Sequence, residues 1–388
     1  MSSPATRVTR PPAVLVLEDG RAFRGEAFGA LGHTTGEAVF ATGMTGYQET
    51  LTDPSYHGQV VVQTAPHIGN TGMNDEDPES RRLWVAGYVV RDPSRTASNW
   101  RSRRPLEDDL KVAGVVGIAG VDTRALTRHL RERGAMRCGI ASGDGAAGGG
   151  AAGGGGADDL DTLLDRVLAS LGMIGADLAP AVTTPRPYVV PAVGPTRLRV
   201  AALDLGIKAS TPARMSEQGI EVHVLPATST ADDLLAANAD GVFVSNGPGD
   251  PAAADYAVAA VRGVLTRGVP LFGICFGNQV LGRALGLGTY KLVYGHRGVN
   301  QPVQDRSTGQ VAVTSHNHGF AVAADPHATS DTPYGRVRVS HVALNDGVVE
   351  GLQCLDVPAF SVQYHPEAAP GPHDAHGLFA RFRALMEA

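Results

Sequence analysis

A cysteine between two glycines is the residue best placed to do chemistry in this chain. Cys275 lies in the segment Gly273-Ile274-Cys275-Phe276-Gly277, where a buried apolar run gives way to a helical pattern. This is the cysteine form of the Gly-x-Ser-x-Gly elbow, whose glycines let strand and helix approach closely. The positive end of the helix dipole favours a thiolate at such a turn. Cys275 is therefore predicted to be a nucleophile, although a lone cysteine is more often a small buried hydrophobic residue.

A His-Pro-Glu segment supplies the second group of candidates, directly after another apolar strand pattern. Proline holds the chain extended, and residues two apart in extended chain point the same way, so Glu367 is expected to turn toward the imidazole of His365. A cysteine nucleophile needs a base, and the base needs an orienting group. By itself the segment also fits a plain surface turn. Together with the elbow it predicts the triad Cys275, His365 and Glu367.

The loop Gly247-Pro248-Gly249 is the third candidate, since it also follows a predicted strand. Its glycines leave backbone N–H groups open to a ligand, whereas Pro248 has none. We expect the Gly249 N–H and the N–H of Phe276 to form an oxyanion site. A plain turn is the alternative for this loop taken alone.

Two further patterns are weaker. His373 and His376 resemble a metal pair, but no third ligand has suitable spacing, so no metal is expected. The segment 143–156 is rich in glycine, yet it lacks a preceding strand and the Gly-Lys-Ser/Thr of a phosphate loop. It is predicted to be a flexible linker.

Composition excludes several classes of function. The chain has 388 residues and a formal charge of −6, which gives no electrostatic case for binding nucleic acid or an anionic membrane. We expect neither a secretory signal nor a membrane-spanning segment, because the N-terminal residues lack an apolar core and no apolar run approaches the roughly 18 residues needed to span a bilayer. The three cysteines, Cys138, Cys275 and Cys354, are too few for a disulfide framework and suit a reducing compartment. A cytoplasmic location is expected.

The pattern of elements changes along the chain and predicts two domains, 1–197 and 198–388. The first is β-rich with some helix, and the second alternates strand and helix, which indicates an α/β domain with a mainly parallel, helix-covered sheet. In such sheets ligands bind at the carboxyl ends of the strands, where all three motifs lie. The predicted strands are Ala13–Glu18, a run from Arg21, Gln59–Thr64, Leu83–Val90, Leu198–Leu203, Ile220–Leu225, Gly241–Ser245, Val269–Ile274, Gln310–Val313, Ser340–Leu344, Gly351–Leu355 and Phe360–Tyr364. The predicted helices are Thr123–Arg133 with Asp122 as its cap, Ala209–Gln218, Ala231–Ala237, Tyr256–Arg267, Asn278–Leu285 and His376–Met386.

The three motifs together resemble those of the class I, or triad, glutamine amidotransferases. Five further segments resemble the small subunit of glutamine-dependent carbamoyl phosphate synthetase, so that the resemblance runs nearly end to end apart from the glycine-rich insert. These segments are Met44-Thr45-Gly46-Tyr47-Gln48-Glu49, Leu51-Thr52-Asp53-Pro54-Ser55-Tyr56, Pro66-His67-Ile68-Gly69-Asn70, Gly120-Val121-Asp122-Thr123-Arg124 and Asn317-His318-Gly319-Phe320.

The resemblance implies a reaction and a set of contacts. Cys275 would attack the side-chain amide of L-glutamine, His365 would act as base, and Glu367 would position it. Ammonia would pass to a large subunit that uses ATP, Mg²⁺ and bicarbonate to make carbamoyl phosphate for arginine and pyrimidine synthesis, with no cofactor in this chain. Many family members have a substrate-contacting serine where Gly43 stands. The implied glutamine contacts are Gly43, Gly247, Gly249, Phe276, Gln279, Asn317, Gly319 and Phe320.

Two rival functions stay open from the sequence. The glutaminase could serve another synthetase, which the N-terminal segments disfavour. The chain could instead be an inactive scaffold for a large subunit, but loss of a triad residue would then be expected, and Cys275, His365 and Glu367 are all present.

Overall fold

The computed structural model describes residues 10–143, 157–236 and 238–388, with backbone only for 157–159. Except for Gly143, the predicted linker at 143–156 lies outside the described residues. Contacts divide the chain into two compact units in a way that differs from a single boundary at 197/198. The first unit comprises Met1–Ala41, Gly58–Asp75 and Val85–Gly172, and the second comprises Thr42–His57, Glu76–Trp84 and Met173–Ala388.

A closed barrel forms the first unit, in the strand order β1-β2-β8-β6-β4-β3-β9 within the described residues. Its first hairpin turns at Glu18-Asp19-Gly20 as predicted, and Gly20 has the positive φ of 84° that this turn requires. The predicted strand Leu83–Val90 is shorter in the structure, because the Trp84 N–H donates to Leu51 O within the second unit. The strands of this unit are β1 (Pro12–Leu17), β2 (Ala22–Gly29), β3 (Gly32–Ala41), β4 (Gln59–Gln63), β5 (His67–Ile68), β6 (Gly87–Val89), β7 (Asp92–Pro93), β8 (Val116–Ala119) and β9 (Met136–Ser142).

Helices cover parts of the barrel. The helix Thr123–Arg133 has the bounds and the cap that the sequence predicts. It begins after Asp122, whose Oδ1 accepts a hydrogen bond of 3.0 Å from the Ala125 N–H. Its buried face contains Leu126 and Leu130, one turn apart, so the helix follows the expected period. The helices of the first unit are α2 (Leu106–Val112), α3 (Thr123–Arg133) and α4 (Ala157–Ala169), and the preceding helix of the chain, α1 (Tyr47–Thr52), belongs to the second unit.

Parallel strands form the centre of the second unit, in the order β12-β11-β13-β14-β20. The strand-helix alternation predicted for this region is confirmed. These strands are apolar at most positions, and all but Ile220–Pro226 are largely buried on both faces, which is the pattern of a helix-covered parallel sheet. Their bounds are β11 (Leu198–Asp204), β12 (Ile220–Pro226), β13 (Gly241–Val244), β14 (Leu271–Ile274) and β20 (Ala359–Val362).

An antiparallel extension continues the same sheet beyond β20, and sequence reasoning did not foresee its size. The predicted strand Gln310–Val313 is far too short, because strand pairing continues through a polar stretch, Ser315-His316-Asn317-His318, that resembles a loop in sequence. Buried hydrogen bonds replace apolar packing there. The remaining strands are β10 (Tyr188–Val190), β15 (Gly288–Asp305), β16 (Val311–Ala323), β17 (Thr329–Thr332), β18 (Gly335–Ala343) and β19 (Val349–Cys354).

Two apolar clusters lie on the two faces of this sheet. One joins the inner faces of two helices to the sheet through residues such as Val261 and Val280, and the other centres on Phe272, which stacks on Phe360 at 4.5 Å between ring centroids. No described helix is long and apolar enough to cross a membrane. The helices are α5 (Ala179–Val182), α6 (Ser210–Glu217), α7 (Ala231–Ala236), α8 (Asp255–Thr266), α9 (Phe276–Ala284) and α10 (Gly377–Glu387).

Removal of the α3 cap should destabilise the first unit. Asp122→Ala loses the acceptor for the Ala125 N–H, and we expect a loss of about 1 kcal/mol of unfolding free energy. Asp122→Asn keeps a capping oxygen and is the matched control, expected to stay within about 0.5 kcal/mol of the parent. Thermal unfolding of the three proteins measures this, and equal midpoints for all three would show that the cap adds nothing.

Candidate active site

The turn at Cys275 joins β14 to α9 with a backbone that side chains rarely adopt, φ 55° and ψ −103°. Both flanking residues must be glycine, because neighbouring backbone atoms lie too close to leave room for a Cβ. A Cβ at Gly273 would lie 2.7 Å from the Gly277 carbonyl oxygen, and a Cβ at Gly277 would lie 2.1 Å from that of Val244. The glycines therefore allow the strained turn predicted from the sequence, and the turn presents the thiol at the carboxyl end of the parallel strands.

Two neighbouring strands hold the thiol in place. The Cys275 N–H donates to Val362 O at 2.8 Å, which ties the elbow to the end of β20. The thiol itself donates to the backbone oxygen of Asn317, on β16, at 3.5 Å. Cys275 is only 2% exposed, so its sulfur is shielded from bulk water.

His365 and Glu367 lie where the chain leaves β20. Nδ1 of His365 is 2.6 Å from Oε1 of Glu367, and the His365 N–H donates to Ser315 O at 2.9 Å. The other ring nitrogen, Nε2, makes no conventional hydrogen bond within the described part of the chain. Burial by itself lowers the pKa of His365, but the Glu367 carboxylate outweighs it and raises the pKa above its usual value, with a further contribution from Cys275. The arrangement therefore favours an imidazolium next to the thiol.

Lys208 completes this group, and sequence reasoning missed it. Its Nζ is 2.9 Å from Oε1 of Glu367, and both side chains are buried. Burial raises the pKa of Glu367, but Lys208 and His365 together hold it well below the usual value. The carboxylate is thus kept ionised by two cations, both of which contact its Oε1. The only sequence signal for Lys208 is its place just after β11, at the same sheet edge as the other motifs.

A second carboxylate lies beyond Lys208. Oε1 of Glu79 is 4.0 Å from Nζ, and its two oxygens accept hydrogen bonds from the hydroxyl and the N–H of Ser210. Burial raises the pKa of Glu79 despite the neighbouring cation. Glu79 therefore fixes the far side of Lys208 and helps to orient its ammonium toward Glu367.

The Gly247-Pro248-Gly249 loop follows β13 and is as tightly packed as the elbow. A Cβ at Gly247 would lie 2.2 Å from Leu205 O. Gly249 has φ +99°, and a Cβ there would lie 2.5 Å from Ala176 O. Both positions therefore demand glycine. Phe276, whose N–H is the first of α9, has no intrahelical acceptor for that N–H, as at any helix start.

The other predicted glutamine contacts belong to a connected polar network. Gln279 donates from Nε2 to Phe320 O at 2.8 Å, and Asn317 donates from Nδ2 to Asp53 Oδ2 at 3.0 Å. Asp53 was not singled out as a site residue. At Gly319, a Cβ would lie 3.3 Å from the Arg297 guanidinium, so little room remains there. Asn317 thus contacts both the thiol and a buried carboxylate.

Gly43 and Ser55 differ in what surrounds them. The atoms nearest to a Cβ built at Gly43 are Thr45 O, at 3.3 Å, and the Val299 side chain. The Ser55 hydroxyl accepts a hydrogen bond of 3.0 Å from Asn246 Nδ2, immediately before the Gly-Pro-Gly loop. Ser55 therefore places a hydroxyl next to this loop, whereas Gly43 has no side chain to do so. A glutamine contact at Gly43 stays a prediction.

Comparison with known proteins matches each part of the chain to a known family. Residues 15–140 match the family described as carbamoyl-phosphate synthase small chain, CPSase domain, and residues 201–385 match glutamine amidotransferase class-I. A carbamoyl phosphate synthase small chain of Streptomyces avermitilis is 68% identical over 387 residues, covering 100% of this chain and 99% of the relative. The chain belongs to the carbamoyl phosphate synthase small chain family.

Other relatives with the same name extend across several genera. A protein of Mycolicibacterium paratuberculosis is 60% identical and covers 97% of this chain and 98% of its own length. One from Bifidobacterium longum is 58% identical and covers 97% of this chain and 94% of its own length. Carbamoyl phosphate synthase small chains are therefore similar to this chain over both of its parts, including the barrel strands as well as the elbow.

Without the Lys208 cation, the buried Glu367 carboxylate would be paired with His365 alone. We expect Lys208→Met to lower the unfolding free energy by about 3–5 kcal/mol. Arg336→Met, which breaks an exposed ion pair with Asp356 in the same unit, is the control and should cost about 1 kcal/mol or less. Denaturant unfolding at neutral pH measures both.

The sign of the pH dependence gives a second check on Lys208. The pKa of Glu367 is lower in the folded state than its ordinary value of 4.5. The ionised carboxylate therefore stabilises the fold above about pH 4.5, and this stabilisation is lost as the pH falls toward the folded-state pKa. The difference in unfolding free energy between wild type and Lys208→Met should therefore become smaller below about pH 4.5. A difference in unfolding free energy that stays constant in acid would contradict the ion pair between Lys208 and Glu367.

Proposed function

We propose that this chain hydrolyses L-glutamine to glutamate and ammonia and delivers the ammonia to a large synthetase subunit. The observation that supports it most strongly is the convergence of the Cys275 thiol, the His365 imidazole and the ionised Glu367 carboxylate at one sheet edge. A buried thiol next to an oriented imidazole is suited to nucleophilic attack on an amide. Family membership supplies the substrate class, since class I amidotransferases act on glutamine.

The reaction follows from these groups in two halves. The Cys275 thiol passes its proton to His365 as its sulfur attacks the side-chain amide carbon of glutamine, and the Gly249 and Phe276 N–H groups stabilise the oxyanion. The C–N bond breaks, the nitrogen takes a proton from His365, and ammonia leaves a glutamyl thioester. His365 then removes a proton from water, which attacks the thioester. The C–S bond breaks, the sulfur takes the proton back from His365, and glutamate leaves. Glu367 keeps the imidazole oriented throughout and stabilises its protonated form.

The partner follows from the family. Relatives are named small chains, which implies a large subunit, and the large subunit would use ATP, Mg²⁺ and bicarbonate to convert the ammonia into carbamoyl phosphate. No cofactor in this chain is needed for the hydrolysis itself. Arginine and pyrimidine synthesis are the expected destinations of the product, and the cytoplasm is the expected compartment.

Substitution of the nucleophile should separate the two nitrogen sources. In a complex reconstituted with the large subunit, Cys275→Ala should abolish synthesis from glutamine and leave synthesis from added ammonia nearly unchanged, since only amide cleavage needs the thiol. Cys354→Ala, which removes another buried free thiol, is the matched control and should keep both activities. Carbamoyl phosphate production with each nitrogen source measures this. Glutamine-dependent turnover that survived Cys275→Ala would remove this thiol from the mechanism.

A further inference from the structure

Three histidines and a glutamate converge in the antiparallel extension of the sheet, outside the triad. His296 is on β15, His316 and His318 are on β16, and Glu350 is on β19. One nitrogen of each ring and one carboxylate oxygen all lie within 4.8 Å of one another. All four side chains are buried, and Glu350 is 0% exposed. Neither the sequence motifs nor the glutamine chemistry assigns this cluster a role.

The outward-facing nitrogen of each ring is already held by a specific partner. His318 Nδ1 is 2.9 Å from Phe320 O, which can only accept, so that nitrogen bears the hydrogen. His316 Nε2 is 2.7 Å from the Thr314 hydroxyl, whose own hydrogen goes to Gln301 O, so Nε2 also donates.

The third ring follows the same pattern. Nε2 of His296 is 2.7 Å from the Asp346 carboxylate, to which it donates. A carboxylate or carbonyl behind an imidazole, as at His296 and His318, is the usual second layer of a metal site, because it orients the ring toward the ion. At His316 the Thr314 hydroxyl takes that place.

The inward-facing nitrogens of His316 and His318 are therefore acceptors that face one another. In the neutral tautomers just described, the lone pairs of His316 Nδ1 and His318 Nε2 lie 3.2 Å apart. Nδ1 of His296 is 3.1 Å from Glu350 Oε1. Oε2 of Glu350, fully buried, has no hydrogen-bond partner among the described residues. His316 Nδ1, His318 Nε2 and Glu350 Oε2 are acceptors with no hydrogen between them, so they repel, and a cation at their centre would turn that repulsion into bonding.

We propose that His296, His316, His318 and Glu350 bind a divalent transition-metal ion, with zinc the best fit. Three imidazole nitrogens and one carboxylate oxygen are ligands that zinc prefers. A tetrahedral ion with bonds of about 2.0–2.1 Å sets its ligand atoms about 3.3 Å apart. Oε1 of Glu350, as the carboxylate ligand, lies 3.1 Å from the His296 nitrogen and 3.6 Å from the His318 nitrogen, and the His316 and His318 nitrogens are 3.2 Å apart, all close to that spacing.

The position of the site gives the ion a structural role next to the active site. His316 and His318 are two apart on β16 and share a face, whereas Asn317 between them points the other way. The backbone oxygen of Asn317 accepts the Cys275 thiol, and its amide bonds Asp53. A metal on one face of this strand would therefore fix the segment that positions the thiol on the other.

Metal uptake by the purified full chain tests the proposal. The protein is stripped with a chelator and desalted, and Zn²⁺ or Co²⁺ is added, with Mg²⁺ as a comparison. We expect one Zn²⁺ or Co²⁺ per chain by elemental analysis, no uptake of Mg²⁺, and the visible absorption of Co²⁺ bound by nitrogen ligands.

Three variants distinguish this site from non-specific binding. The double change His316→Gln with Glu350→Gln should lose at least about 100-fold in affinity for Zn²⁺, and Asp346→Asn, which alters only the support behind His296, should lose about 10-fold or more. His373→Gln with His376→Gln removes a histidine pair outside the cluster and should keep one ion per chain.

The wild-type measurement decides the matter even if a variant does not fold. A stripped wild-type chain that takes up neither Zn²⁺ nor Co²⁺ would overturn the proposal and leave the cluster as a proton-sharing network. Uptake that is equal in wild type and the His316–Glu350 double variant would overturn it as well.

Discussion

The buried carboxylate of Glu367 is the group on which the rest of the site depends. It lies between the Lys208 ammonium and the His365 imidazole, at 2.9 and 2.6 Å, in a region without access to bulk water. An ionised carboxylate is costly to bury unless it is paired, so both partners are needed to keep it charged. In turn the charge orients His365 and favours its protonated form. The geometry of the nucleophile's base is thus a consequence of charge pairing.

Sheet topology brings these charges together from distant parts of the chain. Lys208 follows β11, the Gly-Pro-Gly loop follows β13, Cys275 follows β14 and His365 follows β20, so the carboxyl ends of neighbouring parallel strands supply most of the site. Strand β16 adds Asn317 from the antiparallel side. Since such strand ends share one edge, a small number of close glycine contacts is enough to set the positions of the reacting groups.

Sequence reasoning succeeded where local chemistry determines structure. The elbow glycines, the Asp122 cap and the alternation of strands and helices all have short-range causes, and each is present in the structure. Lys208, Glu79 and Asp53 could not be inferred because their importance comes from partners more than 100 residues away. Most of strand β16 beyond the predicted Gln310–Val313 was missed for a similar reason, since its buried histidines are accommodated by tertiary hydrogen bonds and not by apolar periodicity.

Direct capture of the covalent intermediate tests the central claim that Cys275 is the nucleophile of a glutaminase. Wild-type protein is mixed with glutamine, quenched in acid and digested, and the peptides are examined by mass spectrometry. The account predicts a glutamyl adduct on the peptide that contains Cys275, and none on those that contain Cys138 or Cys354, since both of these thiols are buried with pKa values raised by burial. An adduct on either of those cysteines, or turnover of glutamine with no adduct on Cys275, would contradict it.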